Sequence, residues 1–250
     1  MKVLGVIPSR YASSRFPGKS LADVCGKSMI RRVYEQALKS KMLDQVVVAT
    51  DDDRILNHVK EFGGDVLMTD QQHPNGTARC EEVLRKLEEE GHSFDVVVNI
   101  QGDEPFIQPE QIEKVIVPFR DNRVQISSLA AEIKNQETLF NPNEVKVVMN
   151  DNGFALYFSR HPIPYIRDAK EADWLKLFSF YKHLGLYAFR SDVLKKIVQL
   201  IPSQLEQAEN LEQLRWLEKG YGIHMSLTDY EAQGIDTPED LAKLINNACE

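Results

Sequence analysis

Asp95-Val-Val-Val-Asn-Ile-Gln-Gly-Asp-Glu-Pro105 sets the frame for the whole chain. Val96 to Ile100 is a short, nearly continuous β-branched run, the pattern of a parallel strand buried on both faces. The run stops at Gln101-Gly102, where glycine permits a sharp turn, and Asp103 and Glu104 follow before Pro105. In an open α/β sheet, ligands sit in the crevice beyond the carboxyl ends of the strands. A carboxylate delivered there by a rigid strand can hold a hard cation; the plainer reading of Asp103 is a turn cap. On this stretch alone both readings stand.

Working outward, strands are expected at 2–8, 45–50 and 66–68, with helices from about 28, over 54–62, around Cys80–Leu87 and over 109–117. This alternation predicts an α/β protein with a doubly wound, mostly parallel sheet. The second half reads as β-rich, with strand-like runs at 124–133, 144–149, 154–159, 181–190 and 222–228. Helices fit 191–200, 206–219 and 238–248, and the charged stretch 166–178 reads as a mobile loop. The expected division is 1–120 and 121–250, the chain returning to the main sheet at its end.

Composition is that of a globular protein, with 42% hydrophobic and 27% charged residues among 250. No apolar run approaches the roughly 18–20 residues of a membrane span, so no membrane insertion is expected. The chain enters with a strand at Val3 to Ile7, which predicts no signal peptide and a cytoplasmic protein. Cys25, Cys80 and Cys249 lack metal-type spacing and are expected to be reduced thiols, Cys80 in the core. A net charge of −8 argues against nucleic acid as a partner. From Arg10 to Arg32, however, six Lys/Arg stand against the single acid Asp23, which suits a small anion.

Ser9 to Lys19 is a long loop between the first strand and the first helix, the layout of a phosphate cradle. It is neither a P-loop nor a dinucleotide fingerprint: Ser13 and Leu21 occupy the places of the leading P-loop glycine, and Gly-x-Gly-x-x-Gly is absent. At Gly234-Ile-Asp-Thr-Pro-Glu-Asp-Leu241, Thr237 is the expected helix cap, leaving Asp236 just outside. Asp236 either favours the helix dipole or pairs with Asp103 across one Mg²⁺. His183 and Tyr187 share a face of the run 181–190; with Arg160 they suit a polyhydroxylated carboxylate. No Gly-x-Ser-x-Gly elbow or Cys/His pair supports acyl-transfer hydrolysis.

Seven motifs in order resemble the 3-deoxy-manno-octulosonate cytidylyltransferase (CMP-Kdo synthetase) family over essentially the whole chain. They are Ile7-Pro-Ser-Arg-Tyr-Ala-Ser-Ser-Arg-Phe-Pro-Gly-Lys19, Val48-Ala-Thr-Asp51, Asn99-Ile-Gln-Gly-Asp-Glu-Pro105, Ala155-Leu-Tyr-Phe-Ser-Arg160, Lys182-His-Leu-Gly-Leu-Tyr187, Leu211-Glu-Gln-Leu-Arg215 and Asp236-Thr-Pro-Glu-Asp-Leu241. The resemblance implies a nucleotide-diphospho-sugar transferase-like sheet with a smaller β-rich sugar-binding and dimerisation lobe. It implies a homodimeric nucleotidyltransferase that makes CMP-Kdo for lipopolysaccharide from CTP and the sugar acid with Mg²⁺.

By motif, Lys19, Asp103 and Asp236 would be catalytic, and the two aspartates would ligate Mg²⁺. Arg10, Ser13, Lys19, Gly76, Thr77, Arg79 and Gln101 would hold the nucleotide. Gln101, Arg160, His183, Tyr187, Glu212 and Gln213 would hold the sugar acid. The chain departs from the family at Asn75 and Ala78, where Ser and an acid are usual, and at Ser20 and Ser28, where Pro is usual. The alternatives kept are a related sugar acid (an 8-amino variant or sialate) and a non-catalytic nucleotide-binding protein.

Overall fold

In the computed structural model, residues 1–12, 16–230, 234–235 and 237–248 are described. The chain divides into two compact units, Met1–Glu113 with Ala232–Glu250, and Lys114–Glu231. The first boundary thus lies near 113 rather than 120, and the last helix groups with the first unit.

The first unit follows the alternation of its sequence. Its elements are β1 (Val3–Ser9), the short β2 (Asp23–Val24) and β3 (Lys27–Ser28), α1 (Met29–Ala37), β4 (Gln45–Thr50), α2 (Asp53–Glu61), β5 (Val66–Met68), α3 (Gly76–Glu89) and β6 (Val96–Asn99). The four long strands run parallel in the order β6-β1-β4-β5, with Val3 opposite Val96, Leu4 opposite Gln45 and Val48 opposite Val66. β6 is buried along its whole length, as a run without polar alternation requires. Each helix starts on a side-chain oxygen: Ser28 accepts from Arg31 N, Asp52 from Arg54 N and Asn75 from Ala78 N. Asn75, where the chain departs from the usual Ser of the motif, is thus the cap of α3.

Two glycines sit where backbones nearly touch. A Cβ on Gly102 would lie 2.7 Å from the Pro8 carbonyl, so the turn after β6 can fold over the end of β1 only without a side chain. Gly18 has φ +73°, the left-handed region, and begins the single 3₁₀ turn Lys19–Leu21.

α4 (Pro109–Ile116) leads out of the first unit. The second contains β7 (Ile126–Glu132), α5 (Gln136–Phe140), β8 (Lys146–Met149), β9 (Ala155–Ser159), α6 (Trp174–Leu177), β10 (Tyr181–Arg190), α7 (Ser191–Ile197), α8 (Gln204–Glu209), α9 (Gln213–Glu218) and β11 (Ile223–Leu227). β10 runs antiparallel to β7 and to β8, β8 antiparallel to β9, and β11 parallel to β7. α10 (Pro238–Ala248) belongs to the first unit.

Three expectations are corrected here. The helix expected over 206–219 is broken: Asn210 adopts φ 52° and closes α8 before α9 begins. Asn tolerates the left-handed region, so it can end a helix as glycine does. The stretch 166–178 is not a mobile loop but carries α6, whose Trp174 is 1% exposed and packs with Ile133, Leu139 and Phe180. Burying that indole outweighs the surrounding charges. Cys80 is a buried free thiol as expected, but Cys25 is disulfide-bonded rather than reduced.

Candidate active site

β1 and β6 end, and α3 begins, around one cavity of 410 Å³ in the first unit. Its walls are Pro8, Ser9, Arg10, Ala12, Lys19 and Ser20 from the β1 loop, Asn75, Gly76 and Arg79 from the start of α3, and Gln101, Gly102 and Asp103 from the turn after β6. This is the crevice beyond the carboxyl ends of parallel strands. The structure brings Arg10, Lys19, Gly76, Arg79, Gln101 and Asp103 together along this one cavity.

At its mouth Lys19 Nζ donates 2.7 Å to Asp103 Oδ2 and 2.7 Å to the Ile235 carbonyl, while Ile235 N donates 3.0 Å to the Asp103 carbonyl. The ammonium is thereby fixed from two sides rather than waving on its four-carbon stem. Ser9 Oγ donates 2.8 Å to Ser20 Oγ and ties the two ends of the loop. Arg10 donates to the His73 carbonyl and has Nε 3.8 Å from Asp51. The fourteen-residue α3 points its N-terminus at the same space, and a helix start favours an anion. The polarity of the cavity is thus cationic on two walls and anionic at Asp103.

Glu104, which sequence reasoning passed over, sharpens that picture. Burial, and then the charge of Asp103, push its carboxyl up to about 8. At neutral pH it is mostly protonated. Adjacent acids in a sequence give no sign of which one ionises; the surroundings decide.

Arg79 is placed at the cavity but is fully buried, donating 2.7 Å to Asp51 Oδ2 and also to Thr69 Oγ1. Its guanidinium is an internal strut linking α3 to the end of β4. Behind Arg10, the His73 imidazole pairs with Glu82, which also accepts from Asp70 N at 2.8 Å and from Lys86 at 2.9 Å. Burial pushes the Glu82 carboxyl up, but these three partners outweigh it and bring it down to about 2. A folded value below the unfolded one gives stability that is present above pH ~4.5 and lost as pH falls toward 2. At pH 7, Glu82→Gln is therefore expected to cost on the order of 3 kcal/mol in urea unfolding, and the gap to wild type should close between pH ~4.5 and 2.

Apart from Gln101, the residues expected for the sugar acid lie in the second unit. His183 Nε2 is 3.0 Å from Ser128 Oγ, and its ring meets Phe158 and Tyr187, each at 5.2 Å between centroids. His183 and Tyr187 are thus neighbours as the strand period predicts, despite a bulge between Leu184 and Tyr187. Burial pushes the His183 imidazole down to about 3, so it is neutral at physiological pH. Burial, and then Glu212, hold the Tyr187 phenol protonated. Among the described residues, Tyr187 Oη and Gln213 Nε2 are buried without a hydrogen-bond partner, a costly state that a polar ligand would relieve. Arg160, expected as a carboxylate fork, is engaged by the backbone. Its guanidinium donates to three carbonyls, those of Glu209 at 2.7 Å, Pro142 at 3.0 Å and Asn210 at 3.3 Å.

Ser13 and Asp236 lie outside the described residues. Thr77 is buried in the first turn of α3, and Glu212 immediately precedes α9. Among the described residues no group of three or more His, Cys, Asp or Glu could hold a metal. Mg²⁺ needs no such group, since it takes one or two carboxylates plus phosphate oxygens, and the Asp103 carboxylate at the cavity suits it.

A family model described as Cytidylyltransferase matches residues 4–227. The chain is 56% identical to the 3-deoxy-manno-octulosonate cytidylyltransferase of Parabacteroides distasonis, over 98% of this chain and 97% of that protein. It is 51% identical to the protein of the same name from Cytophaga hutchinsonii, over 99% and 98%. A solved structure of CMP:2-keto-3-deoxy-manno-octonic acid synthetase complexed with CTP superimposes with a TM-score of 0.91 at 42% identity, covering 99% of this chain and 98% of that one. A Leptospira borgpetersenii cytidylyltransferase shares the fold, with a TM-score of 0.63 at 16% identity, covering 98% of this chain and 85% of that one.

Proposed function

The chain belongs to the cytidylyltransferase family, and from that premise we propose that it transfers the cytidylyl group of CTP to 3-deoxy-D-manno-octulosonate, releasing diphosphate. The observation that carries this reading is the Lys19–Asp103 pair, 2.7 Å apart, at the mouth of a cavity walled by a basic loop and a helix N-terminus. The anomeric oxygen attacks the α-phosphorus in line; that P–O bond forms as the bond to the β-phosphate breaks and the hydroxyl proton is released. Such transfer asks little covalent work of the protein, so rate comes from positioning and charge neutralisation.

Lys19 and Arg10 neutralise the phosphates, α3 offers its N-terminus to them, and Gln101 borders both substrates. Mg²⁺, when bound, supplies charge neutralisation and lowers the hydroxyl pKa. Asp103 would hold it together with Asp236. Neutral His183 and the donors of Tyr187 and Gln213 orient the sugar's hydroxyl and carboxylate groups. The product serves lipopolysaccharide synthesis in the cytoplasm, and the enzyme works as a homodimer, which sedimentation at micromolar concentration would verify.

The deciding experiment follows diphosphate release from CTP or UTP with a panel of sugar acids, with and without Mg²⁺. Turnover specific to CTP and 3-deoxy-D-manno-octulosonate and dependent on Mg²⁺ is expected. Preference for sialate or an 8-amino sugar acid would move the substrate, and nucleotide binding without any turnover would remove the enzyme. His183→Ala is expected to raise KM for the sugar acid by about tenfold, roughly the worth of one buried hydrogen bond, with little change for CTP. Equal losses for both substrates would take His183 out of the sugar site.

A further inference from the structure

The turn after β4 holds more than the buried Arg79. Asp52, which caps α2, also accepts both prongs of the Arg54 guanidinium, Nε at 2.9 Å and Nη2 at 2.7 Å. A guanidinium gripped by both carboxylate oxygens keeps its plane. That plane lies over the Tyr11 ring, the central carbon 3.2 Å from the ring centroid. Tyr11 in turn closes the β1 loop: its carbonyl accepts from Gly18 N at 2.9 Å. Its ring end lies 3.2 Å from where a Cβ on Gly18 would stand. The next residue is Lys19. A chain of contacts therefore runs from Asp52 through Arg54, Tyr11 and Gly18 to the ammonium facing Asp103.

Nothing in the sequence motifs gives Arg54 a task, and its pairing with Asp52 leaves it no role as a roving surface charge. We propose that Arg54 is a positioning residue for the nucleotide: by stacking on Tyr11 it holds the Tyr11–Gly18 closure and so sets Lys19 for the phosphates. The proposal rests on reading the cavity as the CTP site. The cation–aromatic contact stabilises one loop conformation, so its loss lowers affinity for the nucleotide and spares the sugar acid.

The test is a double-mutant cycle of Arg54→Ala and Tyr11→Ala, with Arg54→Lys as the conservative variant and hydrogen exchange at the Gly18 amide as a second readout. Arg54→Ala is expected to raise KM for CTP about 2- to 5-fold, the size of a partly exposed cation–π contact, with KM for the sugar acid and the melting temperature kept. Arg54→Lys should recover part of the loss, and Arg54→Ala should add nothing in the Tyr11→Ala background. In ligand-free protein the Gly18 amide should exchange faster in Arg54→Ala. An unchanged KM for CTP, additive effects, or unaltered Gly18 exchange would each overturn the latch. Wild-type protein that releases no diphosphate from CTP would instead sink the enzymatic reading, and the nucleotide role of Arg54 with it, whatever the exchange rates are.

Discussion

Asp103→Asn is expected to lower kcat by about 10³-fold or more while leaving the fold intact. The substitution is isosteric, and the amide oxygen can still accept from Lys19, so the 2.7 Å contact and the Ile235 bridge survive. What disappears is the full negative charge at the end of β6. Glu104 does not replace it, because burial, the larger cause of its raised pKa, persists when the neighbouring charge is gone. With Asp103 neutral, a hard cation loses its ligand in the described cavity, and each 1.36 kcal/mol of lost transition-state stabilisation is tenfold in rate. Single-turnover measurement of diphosphate release, with circular dichroism to verify the fold, decides the matter. Near wild-type turnover would remove Asp103 from the chemistry and leave it a turn residue.

Arg79→Ala should fail in a different way. The Arg79 side chain is 1% exposed and its partner Asp51 13%, so truncation leaves a buried carboxylate with much of its compensation gone. Breaking such a pair costs about 3–5 kcal/mol. The loss should appear as a lower denaturation midpoint, with KM for CTP in the remaining folded enzyme changed far less than by Lys19→Ala. If Arg79 instead worked mainly on the nucleotide, the order would reverse: stability would hold and KM would rise. Asp51→Asn separates the two further, since it weakens the strut without touching the arginine.

These two residues also mark how far the sequence could be read. Runs such as Val46–Val48 and Val96–Ile100 announce buried parallel strands because nothing but hydrophobic burial on both faces needs them. The cavity followed, since loops after such strands converge at one edge of a sheet. Arginine, in contrast, carries no mark of whether it will face a ligand or vanish into the core. The motifs group Arg79 and Arg160 with ligand contacts, and they do not show that Arg79 is tied to Asp51 and Arg160 to three carbonyls. Nor could a charged segment advertise that its single Trp174 would anchor it, or Asn210 that it would stop a helix amid good helix formers. In each case a tertiary contact overrode a local average. The adjacent acids are legible as a pair, but the raised carboxyl of Glu104 comes from the burial around it.

The bond from Lys19 to the Ile235 carbonyl spans 216 positions of the chain. The restraint on the lysine is therefore a property of the folded unit and not of the phosphate loop by itself. Loosening the segment around Ile235 would release the ammonium without altering the loop that carries it.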